Sequence, residues 1–127
     1  MEGYMGISRF EDIHAWQVAR ELCKSIYSHS YDGAFAKDYG LRDQTRRAVT
    51  SVMANIAEGF DCRSHSEFVQ FLFYALRSTS EVQSHLYVAY DQGYVSQAEF
   101  ARLYQEASRV KSMLLRFVEH LRTHAKP

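Results

Sequence analysis

Apolar side chains recur at intervals of three and four residues along four segments of the chain, which is the spacing of one face of an α-helix. The most regular face consists of Phe68, Leu72, Ala75, Thr79, Val82, Leu86 and Ala89. The next consists of Phe100, Leu103, Ala107, Val110, Leu114, Phe117 and Leu121. No segment shows the sustained alternation of a strand. The pattern predicts helices over about residues 12–30, 41–59, 64–92 and 96–123.

Residues that cap helices stand at the predicted starts. Ser64 with Glu67, and Ser96 with Glu99, have the spacing of a capping box, in which each side chain binds a free backbone N–H group. Asp12 is the candidate N-cap of the first helix. The buried face expected for that helix consists of Trp16, Ala19, Cys23, Ile26 and Ser30.

Glycines stand at the predicted ends. Gly59 and Gly93 follow the second and third helices, and glycine ends a helix easily because it tolerates a positive φ angle. A looser segment with Gly33 and Gly40 separates the first two helices. Long helices joined by a short turn must lie side by side in opposite directions. We therefore predict one all-α domain over residues 1–127, an antiparallel up-and-down four-helix bundle with left-handed coiled-coil-like packing.

The second helix has a polar face in addition to its apolar one. Its five members lie within an arc of roughly 80° at 3.6 residues per turn. They are Gln44, Arg47, Ser51, Asn55 and Glu58, and we call them the polar stripe. With a turn near Cys62, this register places Ser78 and Glu81 of the third helix beside the stripe and predicts an ion pair between Arg47 and Glu81. Two interpretations remain open: a satisfied structural network, or a site for a ligand or partner.

Composition and charge exclude several classes of protein. Of the 127 residues, 46% are hydrophobic and 24% are charged, which is typical of a folded domain and not of a disordered one. Fifteen Lys and Arg balance fifteen Asp and Glu, so the overall positive field of a strongly basic nucleic-acid binder is missing. We find no secretory signal and no membrane-spanning run. We therefore expect a cytoplasmic protein that does not bind membranes.

Arginines are concentrated in and after the second helix. Arg42 and Arg46 lie one turn apart, and Arg63 follows that helix. Guanidinium groups can neutralise phosphates, so these three are the candidate contacts to nucleic acid. Acidic neighbours such as Asp43 support the alternative, a solvated surface or salt bridges between subunits.

Eighteen residues are aromatic, and nine of these are tyrosines. Several occupy positions that flank the apolar faces. Tyrosine is suited to subunit interfaces because it buries a large area while its hydroxyl remains polar. The alternative is an ordinary wide apolar face. The candidate interface residues are Tyr27, Tyr31, Phe73, Tyr74, Tyr87, Tyr90 and Tyr104.

Motifs for catalysis or metal binding are missing from the chain. His120 and His124 have the spacing of two ligands on a helix, but no cysteine or carboxylate completes a zinc site. Neither a phosphate-binding glycine loop nor paired Glu-x-x-His motifs occur. Cys23 and Cys62 are not in a redox or zinc spacing. We expect no enzyme activity, no metal and no cofactor.

Several segments together resemble one protein family. They are Phe10–Ile13 with Trp16, Leu41–Gln44 with Arg47 and Ala48, Asn55–Gly59, and Glu67–Phe68 with Phe71 and Leu72. This set is similar to the four-helix proteins encoded within intervening sequences of bacterial 23S ribosomal RNA genes, the S23-like family. It is distantly similar to accessory proteins of diversity-generating retroelements, which associate with a reverse transcriptase and nucleic acid. The resemblance implies a homopentameric ring without known catalytic activity.

Two functional hypotheses follow from these patterns. The first is a non-enzymatic, self-assembling helical adaptor that binds RNA or an RNA-bound protein. The second is an oligomeric module that binds only protein.

Overall fold

The structure, a computed structural model, describes residues 6–123, in which the regular secondary structure is helical and no strand occurs. This confirms the prediction of an all-α protein. A 3₁₀ turn at Phe10–Asp12 precedes five helices. They are α1 (His14–His29), α2 (Gly33–Lys37), α3 (Tyr39–Phe60), α4 (His65–Asp91) and α5 (Gln97–Thr123).

The four long helices enclose one apolar core. Helix α3 packs against α1 and α4, and α5 packs against the same two helices from the other side. All seven residues of the predicted α4 face are buried. On α5 six of the seven are buried, and Phe100 is half-buried at the edge. The helical spacing thus identified the core residues of these two helices.

Helix α1 begins later than predicted and is rotated. Asp12 belongs to the 3₁₀ turn, so the N-cap position falls to Ile13, whose side chain makes no capping hydrogen bond. Trp16 is half-buried at the flank, where it packs edge to face on Phe10 at 5.2 Å between ring centroids. Leu22 takes the central place expected for Cys23. Ala19, Ile26 and Ser30 of the predicted face are fully buried, so the prediction is confirmed for these three residues and wrong for Trp16 and Cys23, which lie at the edge.

Helix α3 continues through Gly59, so the prediction that this glycine ends the helix is wrong. Its backbone φ is not in the positive range. A Cβ at Gly59 would lie 2.8 Å from Cδ1 of Phe68 and 2.8 Å from Cβ of Phe71. Glycine is needed here because α3 and α4 approach too closely for any side chain.

Capping boxes start both α4 and α5. The Glu67 N–H group donates to Ser64 Oγ at 3.2 Å, and Ser64 Oγ donates in turn to the Glu67 carboxylate. In α5 the exchange is fully reciprocal, with Glu99 N–H bound to Ser96 Oγ at 3.1 Å and Ser96 N–H bound to Glu99 Oε1 at 2.8 Å. These bonds satisfy backbone donors that the helices themselves cannot satisfy.

The turn after α4 connects to the segment before α3. Gly93 has φ 77°, and the Tyr94 N–H group donates to the Ala89 carbonyl at 2.8 Å, a pattern that closes helices at glycine. Tyr94 then stacks on Phe35 of α2 at 5.6 Å and donates its hydroxyl hydrogen bond to Asp38 Oδ2 at 3.0 Å. A second, smaller apolar cluster forms around Phe35. The segment expected to be loose is therefore fixed.

We expect Gly59→Ala to lower the free energy of unfolding by about 1–3 kcal/mol, because the new methyl group must displace two phenylalanine side chains. Urea unfolding measures the effect. Gly40→Ala in the same helix is the matched control, since nothing lies within 4 Å of its Cβ position. It should stabilise the protein by about 0.5–1 kcal/mol through helix propensity. Equal effects of the two substitutions would contradict the close approach.

The hydrogen bond to Asp38 raises the pKa of the Tyr94 phenol above its usual value. A raised folded-state pKa means that this contribution to stability is complete below the unfolded pKa near 10 and is lost as pH rises through the folded value. Tyr94→Phe should therefore be less stable than the parent protein at pH 7–9, and the difference should shrink above pH 10. Thermal unfolding across this range measures it, and a pH-independent difference would contradict it.

Candidate functional site

The centre of the polar stripe forms hydrogen bonds within the protein. Asn55 Nδ2 donates to the Ser51 carbonyl at 2.8 Å and to Ser51 Oγ at 3.0 Å. Ser78 Oγ of α4 donates to Ser51 Oγ at 3.0 Å. All three side chains are half-buried at the α3–α4 contact. Small polar residues allow the two helices to approach closely while their polar groups remain bonded.

The rest of the stripe does not form the predicted network. Gln44, Arg47 and Glu58 are exposed. Within residues 6–123 no ion pair joins Arg47 to Glu81, whose carboxylate instead lies 3.8 Å from His85 Nε2 one turn away. The prediction of that pair is wrong, and so is the register behind it. Ser78 lies beside Ser51 and not beside Arg47, a shift of four residues that still places Glu81 near the level of Arg47. Both side chains are exposed and they do not meet.

Arg46 is half-buried and connects α3 to the end of α1. Its Nε donates to Ser30 Oγ and its Nη2 donates to the Ser30 carbonyl, both at 2.9 Å. Ser30 is fully buried. The guanidinium carbon lies 4.5 Å from the ring centroid of Tyr27. Arg46 therefore has a structural role, whatever else it contacts.

Arg42 is held in a similar way near the start of α3. Its Nη1 donates to the Ala36 carbonyl at 3.0 Å and its Nε to Asp43 Oδ1 at 2.9 Å. Arg63 is exposed beyond the other end of the helix. At 1.5 Å per residue, the part of α3 after Arg46 is about 20 Å long. The structure thus brings Arg42 and Arg46 together and places Arg63 far from both.

Three of the predicted interface residues form one cluster on α4 and α5. The ring centroid of Tyr87 lies 4.8 Å from that of Phe100 and 5.6 Å from that of Tyr104. The ring centroid of Tyr90 lies 5.3 Å from that of Phe100. Tyr87 remains 51% exposed and Tyr90 38% exposed. We call these four residues the α4–α5 aromatic surface.

The other four candidates lie elsewhere. Phe73 lies under the Arg122 guanidinium at 5.3 Å, and the Tyr74 hydroxyl accepts a hydrogen bond from Gln70. Tyr27 and Tyr31 are exposed at the end of α1. The predicted set therefore forms several separate surfaces and not one.

A groove of about 390 Å³ between α1 and α5 contains Gln17, Glu21, Glu106 and Arg109. Burial raises the pKa of the Glu106 carboxyl, and its Oε1 has no hydrogen-bond partner among the described residues.

Over residues 6–123, no three His, Cys, Asp or Glu side chains lie close enough to hold a metal ion. His124 lies outside the described residues.

Comparison with models of protein families identifies the family to which the chain belongs. The model of the 23S rRNA-intervening sequence protein family matches residues 11–116, which is more than four fifths of the chain. The chain belongs to this family. No curated protein matches the sequence.

A solved structure agrees with the fold of this 23S rRNA-intervening sequence protein. It is the crystal structure of a protein of unknown function from the S23 ribosomal protein family of Bacteroides thetaiotaomicron. The superposition has a TM-score of 0.76 and covers 83% of this chain and 95% of that one. At 19% sequence identity the likeness shows the fold alone.

One residue of the candidate site was not predicted from the sequence. Tyr39 is 64% exposed, and the Arg42 guanidinium lies 4.9 Å from its ring centroid. Tyr39 precedes the predicted start of the second helix, so the sequence pattern places it in the looser segment. Its spacing of three residues from Arg42 was a usable signal, since side chains three apart meet on a helix surface.

None of the helices in the described range combines the length and the apolar character that a bilayer crossing requires.

We expect Arg46→Ala to lower the free energy of unfolding by about 1–3 kcal/mol, since the buried Ser30 hydroxyl and carbonyl lose a charged donor. Its neighbour Arg47 is exposed, and Arg47→Ala should change the stability by no more than about 0.5 kcal/mol. Urea unfolding of the two variants in parallel makes the comparison. Equal stabilities would show that the Arg46 contacts contribute nothing.

Proposed function

We propose that this family member is a non-enzymatic, self-assembling helical protein that acts as an adaptor. Its four long helices are proposed to form an antiparallel up-and-down bundle with left-handed coiled-coil-like packing. Contacts between α3 and α4 support this arrangement, because Gly59 lies against Phe68 while the earlier Ser51 lies against the later Ser78. Such a bundle would hold its surface side chains in fixed positions, so that separate surfaces could bind different partners.

The α4–α5 aromatic surface is the observation that carries self-assembly. Tyr87 and Tyr90 remain exposed although their rings are already packed on Phe100. Aromatic residues are enriched at the buried centres of protein interfaces, and ordering these two tyrosines costs little because aromatic neighbours already restrict their rings. A second copy of the chain is the proposed occupant.

The proposed assembly is a ring of five copies. This number rests on the resemblance to S23-like proteins and not on a contact within the single chain. A ring requires two different surfaces of each copy to meet, and Phe73 and Tyr74, which lie apart from the α4–α5 aromatic surface, are compatible with that requirement.

The proposed partner is RNA or an RNA-bound protein in the cytoplasm. The neighbouring Arg42 and Arg46, and the resemblance to nucleic-acid-associated proteins, support it. The alternative is a module that binds protein alone, and the balanced overall charge of the chain favours this alternative. Purification without nuclease separates the two, since a nucleic-acid absorbance that follows the protein through gel filtration supports RNA.

Light scattering tests the assembly. We expect the parent protein to have the molar mass of an oligomer and Tyr87→Ser to dissociate at roughly 30-fold higher concentration, because truncating a central interface aromatic costs about 2 kcal/mol. Tyr39→Ser is the matched control, as it removes an exposed tyrosine at another position, and it should leave the molar mass unchanged. A monomeric parent protein, or a Tyr87→Ser variant that assembles like the parent, would refute self-assembly through this surface.

A further inference from the structure

Two tyrosine–arginine contacts and a third exposed tyrosine lie where α1 ends and α3 begins. Tyr27 is 41% exposed, Tyr31 80% and Tyr39 64%. Arg46 lies over Tyr27 and Arg42 lies over Tyr39. We call these five residues the tyrosine–arginine corner. Tyr31 belongs to the corner by its position in the sequence, because the preceding residue, Ser30, accepts both hydrogen bonds from Arg46.

The two guanidinium groups are positioned before any ligand arrives. Each uses two donors on oxygens of this chain, namely those of Ser30 for Arg46, and those of Ala36 and Asp43 for Arg42. A guanidinium has five N–H donors in a rigid plane, so each retains donors for an anion. Because the side chains are already ordered, an anion that binds them loses little affinity to conformational entropy.

The local net charge is slightly positive and does not oppose an anionic partner. Residues 27–47 contain four basic and three acidic side chains, in a chain whose charges balance overall. Two of the acidic side chains already hydrogen-bond to groups of this chain, although each keeps its negative charge. Asp38 accepts hydrogen bonds from Tyr94 and from the Leu41 N–H group, and Asp43 pairs with Arg42. Arg47 and Lys37 are exposed beside them.

Exposed aromatic faces next to guanidinium groups are suited to one class of ligand. Single-stranded nucleic acid offers unpaired bases that stack on aromatic rings and phosphates that pair with arginine. A duplex offers the phosphates but keeps its base faces covered. We infer that the tyrosine–arginine corner binds single-stranded nucleic acid, with bases stacked on Tyr31 and Tyr39 and phosphates at Arg42 and Arg46. This inference rests on the proposed adaptor function and specifies its partner and contact surface.

The test is fluorescence anisotropy with labelled, unstructured oligonucleotides of about 15 residues, near the upper site size of single-strand-binding modules. Oligouridine, oligothymidine and a duplex of equal length are compared at low salt. We expect either single strand to bind more tightly than the duplex. Tyr31→Ala and Tyr39→Ala should each weaken binding about 5- to 100-fold, as measured when a stacking aromatic is removed. Arg42→Lys and Arg46→Lys should weaken it through loss of the fork geometry, with the charge retained.

Arg63→Ala is the matched control for charge, since Arg63 is exposed beyond the opposite end of α3, and it should bind like the parent. An equal loss with Arg63→Ala, equal affinity for the duplex, or no binding of any probe would overturn the inference. Light scattering of Tyr31→Ala and Tyr39→Ala guards against a different role, because a changed molar mass would identify the corner as a subunit interface and overturn it too. Tyr87→Ser should still bind the single strand, so failed assembly and failed nucleic-acid binding are distinguished.

Discussion

The close approach of α3 and α4 at Gly59 is the constraint on which the rest of the structure depends. The absence of a side chain there lets two phenylalanines of α4 lie against the α3 backbone. Further along the same contact, small hydroxyl and amide side chains replace bulky ones and bind each other. The register set in this way decides which residues of α3 face α4 and which, like Arg46, face α1.

Much of the fold could be predicted from the spacing of apolar residues, because a helix that is buried on one side has an apolar residue every three or four positions. The faces of α4 and α5 and both capping boxes are examples. The register of α3 against α4 could not be predicted, since it depends on where a short turn is centred, and an error of a few residues moves Arg47 by a full helical turn. The role of Gly59 was also hidden, because a helix-ending glycine and a glycine under a packed ring look alike in sequence.

The candidate site was predicted less completely than the fold. Arginines and tyrosines were recognised by type, but which of them meet depends on the packing of distant segments. Arg46 reaches Ser30 across 16 positions of sequence, and Tyr94 reaches Asp38 across 56. Those two contacts hold the connection between α1 and α3, so they create the corner in which Tyr27, Tyr31 and Tyr39 gather. The spacing of apolar residues along the chain carries no information about such long-range contacts.

The order in which the helices pack has a consequence for valency. Because α1 and α3 are neighbours on one side and α4 and α5 on the other, the groove between the first pair faces away from the groove between the second. Copies joined through the α4–α5 aromatic surface of one and a surface of the next other than its tyrosine–arginine corner would leave every corner accessible. A flexible strand that reaches two such corners would gain avidity from a high effective concentration, so individually weak stacking contacts could retain it.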